Sequence, residues 1–80
     1  MEISEILKQV NHLFTDFFDN NSISLNEQST AADVEEWDSL NNIHIITAIE
    51  KHFRIRFELN ELLNFTNIGD MCRGIQAKVK

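Results

Sequence analysis

The stretch W-D-S-L-N-N-I-H-I-I-T-A-I-E-K-H-F, residues 37–53, decides how this chain folds. From Leu40 onward it contains no Gly or Pro, so nothing in it interrupts a helix. Asp38 or Ser39 can cap that helix, because a short side-chain oxygen accepts a hydrogen bond from an N–H group left free at a helix start. Apolar residues recur at steps of three and four, the spacing of one helix face; they are Leu40, Ile43, Ile45, Ile46, Ile49 and Phe53. The stretch therefore predicts the most apolar helix of the chain, with a serine where it begins.

The same periodicity predicts an amphipathic helix over about residues 2–18, with Ser4 as a candidate cap. Its apolar residues are Ile3, Ile6, Leu7, Val10, Leu13, Phe14, Phe17 and Phe18. The polar run 19–22 ends it, because Asp, Asn and Ser side chains compete for backbone hydrogen bonds and favour turns. Residues 19–37 then show no sustained period, so we predict a long loop. Its apolar anchors to the core are Ile23, Leu25, Val34 and Trp37.

The C-terminal third predicts two more helices. Arg54 to Phe57 alternate like a strand, but the chain offers no partner strand, so we predict an extended connection. A short helix carries Leu59, Leu62 and Leu63 and stops near Asn64. Thr66 or Asn67 caps the last helix, whose apolar face is formed by Ile68, Met71, Cys72, Ile75 and Val79. Gly74 within that helix costs roughly 1 kcal/mol relative to Ala.

These elements predict an all-α fold, a small four-helix bundle with three main helices, a short third helix and a long loop between helices 1 and 2. We expect the core where the apolar faces of the three long helices meet. Its predicted centre consists of Phe14, Phe17, Ile46, Ile49, Phe53, Ile68 and Ile75.

Composition limits the function classes. Eighty residues make one domain, 1–80, and seven basic against thirteen acidic residues give a net charge of −6. Such a surface repels phosphate backbones and anionic lipid, which argues against nucleic-acid and membrane partners and favours partners with basic patches. The chain has a single cysteine, no apolar run of the ~18 residues that a membrane span needs, and no signal-like start. We therefore expect a soluble cytoplasmic monomer.

Three segments together carry a family resemblance: D-S-L at 38–40, A-I-E-x-x-F at 48–53 and I-x-F at 55–57. With the length and the acidic balance, they make the chain resemble the acyl carrier protein family across nearly its whole length. The resemblance implies that Ser39 receives 4′-phosphopantetheine and that Asp38 helps to recruit the phosphopantetheinyl transferase. It also implies that acyl- or aminoacyl-loading and acyl-transferring enzymes touch Leu40.

From the residues alone, Ser39 and Asp38 can equally be structural caps and Leu40 can be plain core. If Ile45, Ile46, Ile49 and Phe53 point inward, then one side of the helix is left to border the arm and to meet incoming enzymes. That side consists of Leu40, Ile43, His44 and Thr47.

The chain also departs from the common carrier pattern. Asn41 and His44 stand where the family often has Asp and Glu, and the run 35–37, Glu-Glu-Trp, replaces the usual small or Gly-containing lead. Housekeeping fatty-acid synthesis is therefore less favoured. The W-D-S-L form resembles freestanding carriers of specialised pathways, such as polyketide, polysaccharide-linked or aminoacyl transfer systems.

No pattern in the sequence indicates an enzyme or a metal protein. His12, His44 and His52 lie 32 and 8 residues apart, which does not match the spacing of two metal ligands on a helix. The acids from Asp33 to Asp38 lack the glycine-containing pattern of a calcium loop. The competing hypothesis is an unmodified acidic helical module that docks a basic partner. The sequence names neither the cargo nor the loading enzyme.

Overall fold

Four α-helices follow one another along the chain in the computed structural model, which describes residues 1–34 and 37–79 and, for Ala31 and Ser39, the backbone only. Helix α1 spans Ile3–Phe18, α2 Ser39–Phe53, α3 Leu59–Asn64 and α4 Ile68–Lys78. A single 3-10 turn, Ala31–Asp33, lies in the loop between α1 and α2. No strand occurs in 1–34 or 37–79. The predicted all-α four-helix bundle is therefore confirmed, and the alternating run before α3 is an extended connection as expected.

The core forms where α1 packs against α2 and α4. Phe14 is its largest fully buried side chain. The buried apolar cluster consists of Ile6, Val10, Phe14, Ile45, Ile46, Ile49, Ile68, Met71, Cys72 and Ile75. Two predicted core residues are wrong. Phe17 is 39% exposed because it lies next to the buried stripe of α1, and Phe53 is only half-buried at the margin of the cluster.

Side chains cap the starts of α2 and α4, and at the start of α3 Glu61 Oε1 accepts a hydrogen bond from Glu58 N. Asp38 caps α2 by accepting a hydrogen bond from Asn41 N at 2.8 Å, and Asn67 caps α4 by accepting one from Asp70 N at 2.8 Å. The prediction that Ser4 caps α1 is wrong, since Glu2 holds the N-cap position and its side chain makes no capping hydrogen bond. The Asp38 and Asn67 side chains each satisfy an N–H group that the helix itself leaves unpaired.

Backbone hydrogen bonds attach the long loop to the start of α4. Ile68 N donates to Ser29 O at 2.8 Å, and Gly69 N donates to Glu27 O at 2.9 Å. Farther back in the loop, Leu25 N donates to Asn11 Oδ1 on α1 at 2.7 Å. These hydrogen bonds fix the position of the loop on the helices. They also pair N–H groups at the start of α4 that the helix cannot satisfy internally. The predicted anchors also hold, because Val34 is buried and Trp37 is half-buried against the core.

Two aromatic rings that flank α3 pack together beside α4. The rings of Phe57 and Phe65 meet edge to face with centroids 5.3 Å apart. A Cβ atom at Gly74 would lie only 2.8 Å from Cζ of Phe65, so the glycine leaves room for that ring. None of the helices in the described part of the chain combines the length and apolar character that crossing a bilayer requires.

Candidate functional site

Trp37 fixes the end of the loop immediately before α2. Its indole Nε1 donates a hydrogen bond to Asn42 Oδ1 at 2.8 Å, and its ring meets Phe14 edge to face at a centroid distance of 5.0 Å. The side chain is therefore held by α1 and α2 at once. Sequence reasoning identified Trp37 as an anchor but did not identify Asn42 as its partner. The only feature of the sequence that could have indicated this pair is that Asn42 follows Trp37 by five residues across the start of a helix.

Asp38 and Ser39 form the entry to α2. The Asp38 carboxylate is exposed, and besides the cap to Asn41 N its backbone carbonyl accepts from Asn42 N at 2.8 Å. Ser39 is the first residue of α2. Its side chain lies outside what the structure describes, so the exposure of the hydroxyl remains a prediction. The start of a helix carries partial positive charge, which favours an anionic group at this position.

One side of α2 is exposed at its N-terminal half. Leu40 is 68% exposed and Ile43 65% exposed, while His44 and Thr47 are also exposed. The opposite side carries Ile45, Ile46 and Ile49 into the core. Leu40 is therefore not a core residue. These exposures agree with the predicted division of the helix, and contact with partner enzymes remains a prediction.

Helix α1 contributes an aromatic residue to the same side of α2. The ring of Phe17 stacks on the ring of His44 with centroids 6.5 Å apart and an interplanar angle of 25°. The sequence hid this neighbour, because Phe17 continues the three-and-four rhythm of α1 and was predicted in the core. We call the exposed surface formed by Phe17, Leu40, Ile43, His44 and Thr47 the docking face.

A cavity of about 490 Å³ opens beside Asp38. Apolar and polar side chains both line it, a common composition for sites that take a largely apolar ligand. It is lined by Thr30, Trp37, Asp38, Asn42, Ile46, Leu62, Phe65, Thr66, Asn67 and Met71. The site thus combines a helix start, an exposed face and an adjoining cavity.

The remaining chemically active side chains are not arranged for catalysis. Cys72 is buried in the core, and desolvation raises the pKa of its thiol to about 11, so the reactive thiolate is scarce at neutral pH. His44 is exposed on the docking face, whereas His12 and His52 are exposed beside the same pocket between α1 and α2. Within residues 1–34 and 37–79, no group of three or more His, Cys, Asp or Glu side chains could hold a metal ion.

The fold and the site were compared with known proteins. Neither a scan against protein-family models nor a search of curated proteins gives a match. Among solved structures, holo acyl carrier protein from Geobacter metallireducens matches with a TM-score of 0.86 and 34% sequence identity. The match covers 91% of this chain and 84% of that chain.

Proposed function

The chain belongs to the acyl carrier protein family, and from this premise we propose that it carries acyl or aminoacyl groups as thioesters on a 4′-phosphopantetheine arm attached to Ser39. It is a carrier protein rather than an enzyme. The single observation that supports the attachment site is the position of Ser39 as the first residue of α2, directly after the exposed cap Asp38.

The local chemistry at the start of α2 suits a phosphodiester. The partial positive charge at a helix N-terminus stabilises an attached anion. Trp37, bound to Asn42 and packed on Phe14, holds the backbone that leads into Ser39. A fixed entry and an exposed neighbouring face give a transferase a defined surface to recognise. Asp38, exposed beside the serine, is the residue we assign to transferase recruitment, in addition to its cap.

The chain lacks a working thiol of its own, which fits a carrier that depends on an arm. The pKa of Cys72 is raised to about 11 by burial, and the thiol has no path to a partner enzyme from the core. When attached, the arm supplies a mobile thiol that can hold cargo as a thioester. The residues of the chain itself position that arm and present it to other enzymes.

The cavity beside Asp38 supports a role in holding cargo. Ile46, Leu62 and Met71 line it with apolar side chains, and it begins next to the attachment site. Burying an apolar chain there would remove its surface from water at roughly 25 cal/mol per Å². A cargo with an apolar body gains from this cavity, whereas a small polar aminoacyl group gains little.

The docking face is the surface that we assign to partner enzymes. Leu40 and Ile43 present apolar side chains more than half exposed, and Phe17 extends the surface onto α1. The partners are the phosphopantetheinyl transferase and the enzymes that load and unload the arm. The alternative, an unmodified interaction module, would instead dock a basic partner through acidic side chains, without any change at Ser39.

Modification in vitro separates these two functions. The unmodified chain is incubated with coenzyme A and a broad-specificity phosphopantetheinyl transferase, and its intact mass is measured. We expect one phosphopantetheine to be added to the wild-type chain and none to Ser39→Ala. Ser4→Ala is the matched control, since Ser4 also lies in the first turn of a helix and is exposed. Labelling that persists in Ser39→Ala would contradict the assignment, and so would a wild-type chain that is never labelled.

A further inference from the structure

A basic surface lies at the end of α2 opposite Ser39. Lys51, Arg54 and Arg56 are all exposed, and in residues 1–34 and 37–79 no acidic side chain forms an ion pair with any of them. By contrast, Arg73 pairs with Asp70 and Glu27, and Lys78 pairs with Glu61. Three of the seven lysines and arginines of an acidic chain are therefore close together in sequence and unneutralised.

These three cations are exposed and lie within six residues of one another along the chain. Lys51 and Arg54 are three residues apart at the end of α2, so they share a helix face. Ile55 and Phe57 pack against the core, whereas Arg54, at the C-cap of α2, and Arg56, in the connection, are exposed. We call the three residues the basic patch.

The nearest acids along the chain, Glu50 and Glu58, reduce the local charge but form no ion pair with the basic patch in the described part of the chain. The Glu50 carboxylate accepts a hydrogen bond from Phe57 N at 2.8 Å. Glu58 is occupied in the capping box of α3, where it exchanges hydrogen bonds with Glu61. Cations in the last turn also interact favourably with the helix dipole. That effect accounts for Lys51 but not for Arg56, which lies beyond the helix.

The backbone at Arg54 has the same left-handed conformation as that at Asp19, the C-cap of α1. Arg54 is the C-cap of α2 with φ 58° and ψ 49°, the left-handed conformation in which glycine is strongly favoured. An arginine there carries a conformational cost that a glycine would not.

From these observations we infer that the basic patch binds a short acidic segment of a partner protein. The net charge of the chain limits how long the bound segment can be. The chain as a whole carries −6, so a membrane surface or a long nucleic acid laid on the patch would also approach the acidic remainder and be repelled. A short Asp- or Glu-rich segment contacts the patch alone, within a Debye length of about 8 Å at physiological salt.

The basic patch lies at the opposite end of α2 from Ser39, so binding there is separate from the proposed carrier function. Fifteen residues of α2 separate the two ends, which corresponds to about 22 Å at 1.5 Å per residue. A partner held at the basic patch leaves Ser39 and the docking face uncovered. The chain can then stay bound to one protein through the basic patch while the Ser39 end of α2 enters the active sites of other enzymes. The inference holds whether or not Ser39 is modified.

The test uses the full unmodified chain labelled with nitrogen-15 and a four-residue glutamate peptide as the probe, starting at physiological salt. We expect amide shifts confined to residues 51–57 and binding that weakens as salt is raised. Replacing each cation by Gln should weaken binding by about 1.4-fold to fivefold, as for exposed ion pairs, and the triple variant by the product of these effects. Arg73→Gln is the matched control, since it removes the same charge from α4 and should leave binding unchanged.

Arg54→Gly separates binding from folding. It relieves the left-handed strain, so its melting temperature should equal or exceed that of the wild type while peptide binding weakens. Three results would overturn the inference: no binding at millimolar peptide, shifts spread over the whole chain, or an equal effect of Arg73→Gln. Tighter binding to vesicles of anionic lipid or to an oligonucleotide at the same ionic strength would overturn it as well. So would self-association of the chain that the triple variant abolishes.

Discussion

The indole N–H of Trp37 donates to Oδ1 of Asn42 at 2.8 Å and thereby joins the last residue before Asp38 to the first turn of α2. Asp38 and Ser39 lie between these two residues in the chain, so the hydrogen bond links the segments on either side of the proposed attachment site. Since Trp37 also packs on Phe14, the same side chain connects this entry to the centre of the core. The proposed site is therefore positioned by side chains that themselves carry no cofactor.

Trp37→Phe and Asn42→Ala each remove one partner of that hydrogen bond. We expect each to lower the free energy of unfolding by about 0.5–1.5 kcal/mol, the usual net value of an intramolecular hydrogen bond. The double variant should lose less than the sum, because the second change removes nothing further from the bond. Urea denaturation of the four proteins provides the measurement. Strictly additive losses would mean that the two residues act independently.

Gly69→Ala tests the attachment of the loop to α4. An added Cβ would lie 2.8 Å from the backbone oxygen of Glu27, which accepts a hydrogen bond from Gly69 N. A backbone atom cannot move aside alone, so we expect a loss of about 1–3 kcal/mol in thermal or urea unfolding. Gly74→Ala is the matched control in the same helix, where the nearest atom is the tip of the Phe65 ring. That ring can shift, so its loss should be smaller. The reverse order would disprove this account of the loop.

Asp70 should make stability depend on pH in the acid range. Hydrogen bonds from the side chain and backbone of Thr66, and then one from Arg73, lower the pKa of Asp70 from 3.8 to about 2. A carboxyl group with a lowered pKa in the folded state adds stability that is fully present above its unfolded pKa and lost as the pH falls through the folded value. The melting temperature of the wild type should therefore approach that of Asp70→Asn between pH 4 and 2. A difference between the two that stays constant over this range would contradict the prediction.

Partner enzymes should recognise the docking face mainly through apolar contacts. Ile43 is 65% exposed, and no acid replaces the charge that carriers often have at positions 41 and 44. We expect Ile43→Asp to slow acyl loading by the cognate enzyme roughly tenfold or more, as for a central interface residue, and His44→Ala far less. Loading rates are measured on the modified protein, with circular dichroism to check folding. Equal losses, or a loss from His44→Ala alone, would show that partners read this face differently.

The sequence was sufficient for the helices and the type of protein, and insufficient for the details of packing. Three-and-four periodicity located α1, α2 and α4 through their buried apolar residues, and it located α3 although Leu59 and Leu63 of that helix are exposed. The same periodicity placed Phe17 in the core, since it reports a helix face but not where the neighbouring helix ends. The Trp37–Asn42 bond and the contacts of Ile68 and Gly69 with the loop are tertiary, so no local pattern predicts them.

The central claim, that Ser39 carries cargo as a thioester on phosphopantetheine, is tested most directly by the mass of the protein isolated from its native cells. The intact mass is measured before and after treatment with hydroxylamine, which cleaves thioesters, and the modified peptide is then sequenced by fragmentation. We predict a chain heavier by phosphopantetheine plus cargo, a loss of the cargo alone on treatment, and the remaining mass on Ser39. A native chain with the unmodified mass, or a modification on another residue, would contradict the account.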